Sequence, residues 1–256
     1  MPPWRAATSC CRAPGTSAVP WPYPRIVAHR GGGSLAPENT LAALRFGASL
    51  GFRAVEFDVM LAGDGTPVLI HDETTERTTG VKGEVALLPY SRLETLDAGK
   101  GEKIPRFQEA AELCRRLGLW ANVEIKPAKG HERATGEAVA RMARSLWHGA
   151  DLPPVLSSFS LMALEAARHA VPELPRGYLV DQVPPDWQAV AGRLGCVAVH
   201  CNHEKLTATR AGEIRAAGYA LLCWTVNDAQ VARRLAQWGV DCLVTDALRV
   251  IGPDFL

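Results

Sequence analysis

Ile26-Val27-Ala28-His29-Arg30-Gly31 opens, and Val68-Leu69-Ile70-His71-Asp72 closes, the stretch that decides how this chain is read, with Ala54-Val55-Glu56-Phe57-Asp58 between them. Each is a short apolar run ending in groups that a hydrophobic core rejects. Burying such charges unpaired costs on the order of several kcal/mol each. They must therefore be paired, and runs that end alike are expected to meet at one mouth. Two histidines, an arginine and two carboxylates gathered there suit metal-assisted chemistry on a phosphate ester.

Outward from this stretch the chain alternates. Extended runs are expected at 26–29, 53–58, 67–70, 120–125, 154–157, 176–180, 196–200, 220–225 and 242–245. Helices are expected from Leu41 to Gly51, and over 107–117, 138–147, 161–169, 187–194, 207–217 and 229–238, the first capped by Asn39 or Thr40. Strand and helix alternating about eight times through short connections imply parallel strands with right-handed crossovers. The expected architecture is a TIM (β/α)8 barrel of the α/β class. Its chemistry would sit at the C-terminal ends of the strands, where His29, Glu56, Asp58, His71, Glu124, Lys126, Trp224 and Asp246 all fall. Residues 73–105 are polar, glycine-rich and too long for a plain connection, so they read as a small insertion beside the site.

Composition bounds the rest. The 256 residues are 47% hydrophobic and 21% charged, enough for one large core, and one domain over 21–256 is expected. A net charge of +1 argues against a nucleic-acid or membrane-binding surface. No apolar stretch is long enough to span a bilayer. Seven cysteines at irregular spacings, Cys10, Cys11, Cys114, Cys196, Cys201, Cys223 and Cys242, read as reduced thiols in a cytoplasmic protein. Residues 1–20 lack the apolar core of an export signal and read as a disordered extension, or as sequence ahead of the true start.

Glu56 and Asp58 lie two apart, so on a strand both point to one face. Their repulsion raises one pKa unless a cation lies between them. A hard divalent cation answers that, with Glu124 as third ligand. The competing reading is an ion pair to Arg30, Arg53 or Lys126. His29 and His71 suit acid–base work near neutrality, and Arg30 and Lys126 suit a phosphate. Phe159 and Trp224 can wall a substrate cleft or simply pack. His200-Cys201-Asn202-His203 with Cys196 raises zinc, but the spacing matches no finger pattern; His200 is expected near the mouth. Gly31-Gly32-Gly33-Ser34-Leu35-Ala36 formally fits a dinucleotide-binding turn, so a nicotinamide-dependent oxidoreductase is the alternative. Pro37, where a helix should already run, speaks against it. A catalytically dead phosphate-binding module is a third reading.

His29-Arg30-Gly31, Pro37-Glu38-Asn39-Thr40, Glu56-Phe57-Asp58, His71-Asp72 and Glu124-Ile125-Lys126, in this order and spacing, resemble the glycerophosphodiester phosphodiesterase family, in particular its short cytosolic bacterial branch. The resemblance extends over about residues 20–256 and includes Leu156-Ser157-Ser158-Phe159 and Thr225-Val226-Asn227. It implies a TIM barrel that hydrolyses glycerophosphodiesters, such as glycerophosphocholine or glycerophosphoethanolamine, to sn-glycerol 3-phosphate and an alcohol. It implies Glu56, Asp58 and Glu124 as ligands of a divalent cation, magnesium first, with manganese, cobalt or calcium open. It implies His29 and His71 as the acid–base pair, with Arg30 and Lys126 on the phosphate. From their neighbours, His29 is expected to be the base and His71 the acid.

Overall fold

A computed structural model describes residues 21–256. The reading of 1–20, and Cys10 and Cys11 with it, lies outside them. Nine strands form one sheet: β1 Ile26–Ala28, β2 Ala54–Leu61, β3 Pro67–Leu69, β4 Trp120–Ile125, β5 Val155–Ser158, β6 Arg176–Val180, β7 Ala198–Asn202, β8 Ala220–Trp224 and β9 Cys242–Thr245. All neighbours pair in parallel except β2 and β3, and β1 pairs with both β2 and β9, which closes the ring. The result is the expected barrel of parallel strands.

The expected list held one extended run too many for eight staves, and pairing identifies it. β2 outruns the barrel, and its last residues pair antiparallel with β3, Val59 opposite Leu69 and Leu61 opposite Pro67. The turn between them is built by Gly65 at φ +82° and by Asp64, whose carboxylate accepts from Thr66 N at 3.0 Å. Pro67, which has no N–H to donate, stands at the start of this short strand. β3 therefore runs back toward the mouth and delivers His71 there from the opposite direction to the staves. His71 does not stand at the end of a parallel strand, as expected; it is lowered onto the site from above.

The helices are α1 Leu41–Ser49, α2 Glu76–Thr79, α3 Tyr90–Leu93, α4 Phe107–Leu117, α5 Glu132–Leu146, α6 Leu161–Ala170, α7 Trp187–Leu194, α8 Ala208–Ala216 and α9 Ala229–Gln237. Of the two candidate caps for α1 it is Thr40 that accepts from Ala43 N, at 3.1 Å. Asn39 is thereby left free for the site. α5 begins at Glu132 rather than 138, because its first turns are polar or small. Gly136 there lies where a Cβ would come within 2.2 Å of Ala163 O, so α5 and α6 touch backbone to backbone. β7 runs two residues beyond its expected end, which takes His200 off the mouth and into the barrel wall.

Two apolar layers hold the staves. Outward-facing side chains such as Val55, Phe57, Val123, Leu156 and Leu243 pack under the helices against Phe107, Leu164, Leu194 and Leu235. Inward-facing Val27, Ala54, Val155, Leu222 and Val244 fill the barrel, with Trp120 stacked on Tyr23 at 4.4 Å below. Burying each large apolar side chain contributes about 1.5–3 kcal/mol. The segment between β3 and α4 carries α2 and α3 over its own small core of Met60, Val68, Ile70, Val85, Leu93 and Ile104. Cys114, Cys196, Cys201, Cys223 and Cys242 are free and buried. No helix among the described residues is long and apolar enough to cross a membrane.

Candidate active site

β2 and β4 pair Asp58 with Glu124 in register, and the two-residue spacing on β2 puts Glu56 on the same face. One carboxylate oxygen from each of Glu56, Asp58 and Glu124 lies within 4.8 Å of the others. Glu56 and Asp58 are buried, at 4% and 1% exposure. Burial, then the Asp58 charge, pushes the Glu56 carboxyl up to about 7. The same two causes push Glu124 up to about 8, against the pull of Lys126. The ion-pair reading is thus answered only in part. Arg30 Nε stands 3.6 Å and Lys126 Nζ 3.7 Å from the Asp58 carboxylate, whereas Arg53 pairs with Asp254 on the surface instead. Three convergent, poorly neutralised oxygen donors fit a hard divalent cation. Among the described residues no other such trio of His, Cys, Asp or Glu gathers, which disposes of the zinc reading at Cys196 and His203.

The remaining groups of the trio's surroundings orient it. Asn39, at φ +58°, donates Nδ2 to Asp58 Oδ2 at 2.9 Å and accepts from Asp58 N at 3.1 Å. Arg30, also in the left-handed region at φ +47°, turns its N–H onto Glu56 Oε2 at 3.0 Å. Such a conformation costs a non-glycine residue on the order of 1 kcal/mol or more, and the contacts on either side hold it. Gly33 permits the turn to close on β9: a Cβ there would fall 2.3 Å from Asp246 O. A Cβ on Gly32 would meet Ala36 at 2.7 Å, and α1 starts only at Leu41. The glycine triplet is packed against its own chain and leads only into a single 3-10 turn, Gly33–Leu35, not an α-helix, so it cannot cradle a pyrophosphate, and the dinucleotide reading falls.

The two histidines are held differently. His29 Nδ1 lies 2.7 Å from Asp246 Oδ1, and its Nε2 lies 3.8 Å from Glu56. Burial pulls this ring down, but the Asp246 hydrogen bond and the Glu56 and Asp246 charges outweigh it and leave it above its ordinary pKa. Asp246 is itself fixed by donating its N–H to Asn227 Oδ1 at 2.8 Å. His71 Nδ1 lies 2.5 Å from Asp72 Oδ1, and its Nε2 lies 2.7 Å from Lys126 Nζ. An ammonium only donates, so Nε2 accepts and the ring proton sits on Nδ1. Burial, with Lys126 and Arg30 beyond it, lowers His71 despite the pull of Asp58 and Asp72. In the cation-free site, then, His29 holds its proton more readily and His71 less readily than an ordinary imidazole.

Seven expected residues, His29, Arg30, Glu56, Asp58, His71, Glu124 and Lys126, are brought into one connected cluster. Phe159, just past the end of β5, and Trp224, at the end of β8, meet edge to face at 5.6 Å across the mouth. His200 is fully buried beneath it, packed over Gly177. Asp246, Glu38 and Asp72 join the cluster as partners for which the sequence pointed to no role, and Asn39, expected only as a helix cap, joins it through Asp58. Arg77 carried no signal at all, lying in a polar segment without periodicity.

The glycerophosphoryl diester phosphodiesterase family profile matches residues 29–250. A glycerophosphodiester phosphodiesterase from Caldanaerobacter subterraneus is 30% identical over 86% of this chain and 93% of its own length. The structure of an Oleispira antarctica phosphodiesterase in complex with the product sn-glycerol-3-phosphate is 37% identical, with a TM-score of 0.86, covering 90% of this chain and 96% of that one. A glycerophosphodiester phosphodiesterase from Agrobacterium tumefaciens is 28% identical with a TM-score of 0.72, over 91% and 98% of the two chains.

Proposed function

Because the chain belongs to the glycerophosphoryl diester phosphodiesterase family, we propose that it hydrolyses glycerophosphodiesters, glycerophosphocholine and glycerophosphoethanolamine among them, to sn-glycerol 3-phosphate and an alcohol. The observation that carries this reading is the convergence of Glu56, Asp58 and Glu124 between two histidines and two phosphate-seeking cations. Glu56, Asp58 and Glu124 would hold a divalent cation, magnesium before manganese, cobalt or calcium. When bound, the cation polarises the phosphoryl oxygens.

The chain's own residues supply the rest. Arg30, clamped on Glu38 at 2.7 Å, and Lys126 spread the negative charge that grows on the phosphate. His29, kept proton-rich by Asp246 even when Glu56 is committed to a cation, donates to the departing alkoxide. His71, neutral with its proton on Nδ1, takes the proton of the nucleophile at Nε2 once Lys126 turns to the phosphate. The 2-hydroxyl of the glycerol is the favoured nucleophile, since a bound neighbour has high effective molarity. Phe159 and Trp224 wall the alcohol side. A cytoplasmic setting is supported by the free, buried thiols of Cys114, Cys196, Cys201, Cys223 and Cys242.

The test is release of sn-glycerol 3-phosphate by metal-stripped protein, with each divalent ion added back, on both esters. Activity restored by magnesium supports the reading; no turnover with any ion removes it.

A further inference from the structure

Among the described residues Arg77 alone hydrogen-bonds both carboxylates set behind the phosphate and proton-transfer groups. Its Nη1 and Nη2 donate to the two oxygens of Glu38 at 2.8 and 2.7 Å, and its Nε donates to Asp72 Oδ2 at 2.5 Å. Glu38 is in turn fastened to Arg30, and the other oxygen of Asp72 receives His71 Nδ1. The fork on Glu38 fixes the plane of the guanidinium, and that plane aims Nε at Asp72.

The platform beneath Arg77 is built for constancy. It stands on α2, whose preceding residue Thr75 is wholly buried and donates its hydroxyl to Val81 O at 2.5 Å. Gly80, at φ +70°, closes the helix, and Thr79 Oγ1 donates back to Thr75 O at 2.8 Å. An exposed ion pair is ordinarily worth little. This one differs in kind, because both partners are spoken for on their inner side by catalytic groups.

We propose that Arg77 is a positioning residue: it holds Asp72 against His71 and so keeps the ring proton on Nδ1 and the lone pair of Nε2 toward the reaction. The insertion, on this account, sets the protonation geometry of the site as well as its outline. The proposal deepens the phosphodiesterase reading and rests on it for its consequence, though not for its first measurement. Lysine keeps the charge of arginine but cannot grip two carboxylates in one plane.

The test uses the full chain as Arg77→Lys and Arg77→Met, with His71→Gln to assign the signal. In the metal-free protein, the imidazole nitrogen shifts of His71 should report the Nδ1–H tautomer in the parent and a mixture of tautomers in both variants. With the cation restored, kcat on glycerophosphocholine should fall about tenfold to a hundredfold while KM stays within about threefold, short of the roughly 10²–10⁴-fold that an acid–base group itself contributes. An unchanged tautomer in both variants overturns the proposal, as does a changed tautomer with unaltered kcat. If the parent cleaves no glycerophosphodiester, the functional reading falls alone and the nitrogen shifts still decide the role of Arg77. Should Arg77→Met not fold, Arg77→Lys carries both measurements.

Discussion

Asp246, the residue after the last barrel strand, holds His29, the residue after the first, through a contact of 2.7 Å between Oδ1 and Nδ1. The closure of the barrel, β1 on β9, is thus also what orients one of the two site histidines. Asp246→Asn keeps the shape and removes the charge, so His29 should fall toward or below its ordinary pKa of 6.5. A donor must be protonated to act, so the basic limb of the pH–kcat profile should move to lower pH. The sign for stability follows from the same shift. A histidine raised in the folded state stabilises at low pH and ceases to as pH rises through its folded pKa. Asp246→Asn should therefore lower Tm more at pH 5 than at pH 9. A basic limb that stays in place would remove His29 from the donor role.

Glu56 and Glu124 carry a pH dependence of the same sign in the cation-free protein. Their carboxyls stand at about 7 and about 8, above the 4.5 of an ordinary glutamate. Between those limits the folded state holds more protons than the unfolded, so stability falls as pH rises through about 4.5 to 8. A divalent cation supplies the charge that protons supplied at low pH. Its addition should raise Tm more at pH 8 than at pH 5, with protons released on binding. Calorimetric titration of Glu56→Gln, Asp58→Asn and Glu124→Gln should each give at least tenfold weaker binding; an unaltered affinity removes that residue from the ligand set.

Much of this was legible because the barrel's residues declare themselves in pairs of apolar run and charged end. His29, Glu56 with Asp58, and Glu124 each follow such a run, and strand pairing then does the gathering. β3 escaped because Pro67–Leu69 is buried on both sides, like a stave, and direction leaves no trace in a short apolar run. α5 began early because Gly136 and Thr135 are buried without being apolar. Arg77 was invisible because Glu38 is brought to it by tertiary folding, and its polar segment shows no periodicity that would pair it with Asp72 five residues before it.

His200 shows a further limit. Its ring lies where the Cβ of any residue at 177 would stand, 2.4 Å from Nε2, and neither ring nitrogen has a hydrogen-bond partner among the described residues. Burial alone drives its pKa down to about 3, so it is a neutral core residue. Gly177→Ala must displace that ring or the β6 backbone, and overpacking of this kind costs about 1–3 kcal/mol. Thermal melting should register the loss; a Tm equal to the parent would mean the ring moves freely.

The roles of the two histidines separate on leaving-group dependence. p-Nitrophenolate departs without a proton, whereas the choline alkoxide does not. With His29 as donor, His29→Ala should retain far more activity on a p-nitrophenyl glycerophosphodiester than on glycerophosphocholine, and His71→Ala should lose comparably on both. The reverse pattern would restore the assignment suggested by sequence position, with His71 as donor.

Which atom attacks phosphorus is itself testable. His71 Nε2 lies beside Lys126, two residues past the antiparallel β3, so the group whose proton it takes must come within reach of that nitrogen. The glycerol 2-hydroxyl, tethered two bonds from the ester carbon, satisfies this without recruiting a water. Its oxygen would bond to phosphorus as the alcohol leaves, giving a cyclic phosphate that water opens afterwards. Effective molarities of well-placed neighbours reach about 10⁵–10⁸ M, far above that of water. A 2-deoxy analogue should therefore be almost inert while still competing with glycerophosphocholine for binding. Phosphorus NMR during single turnover of the parent should catch the cyclic ester. Brisk hydrolysis of the deoxy analogue would place a water at His71 instead, and the same ring, held on Asp72, would activate it.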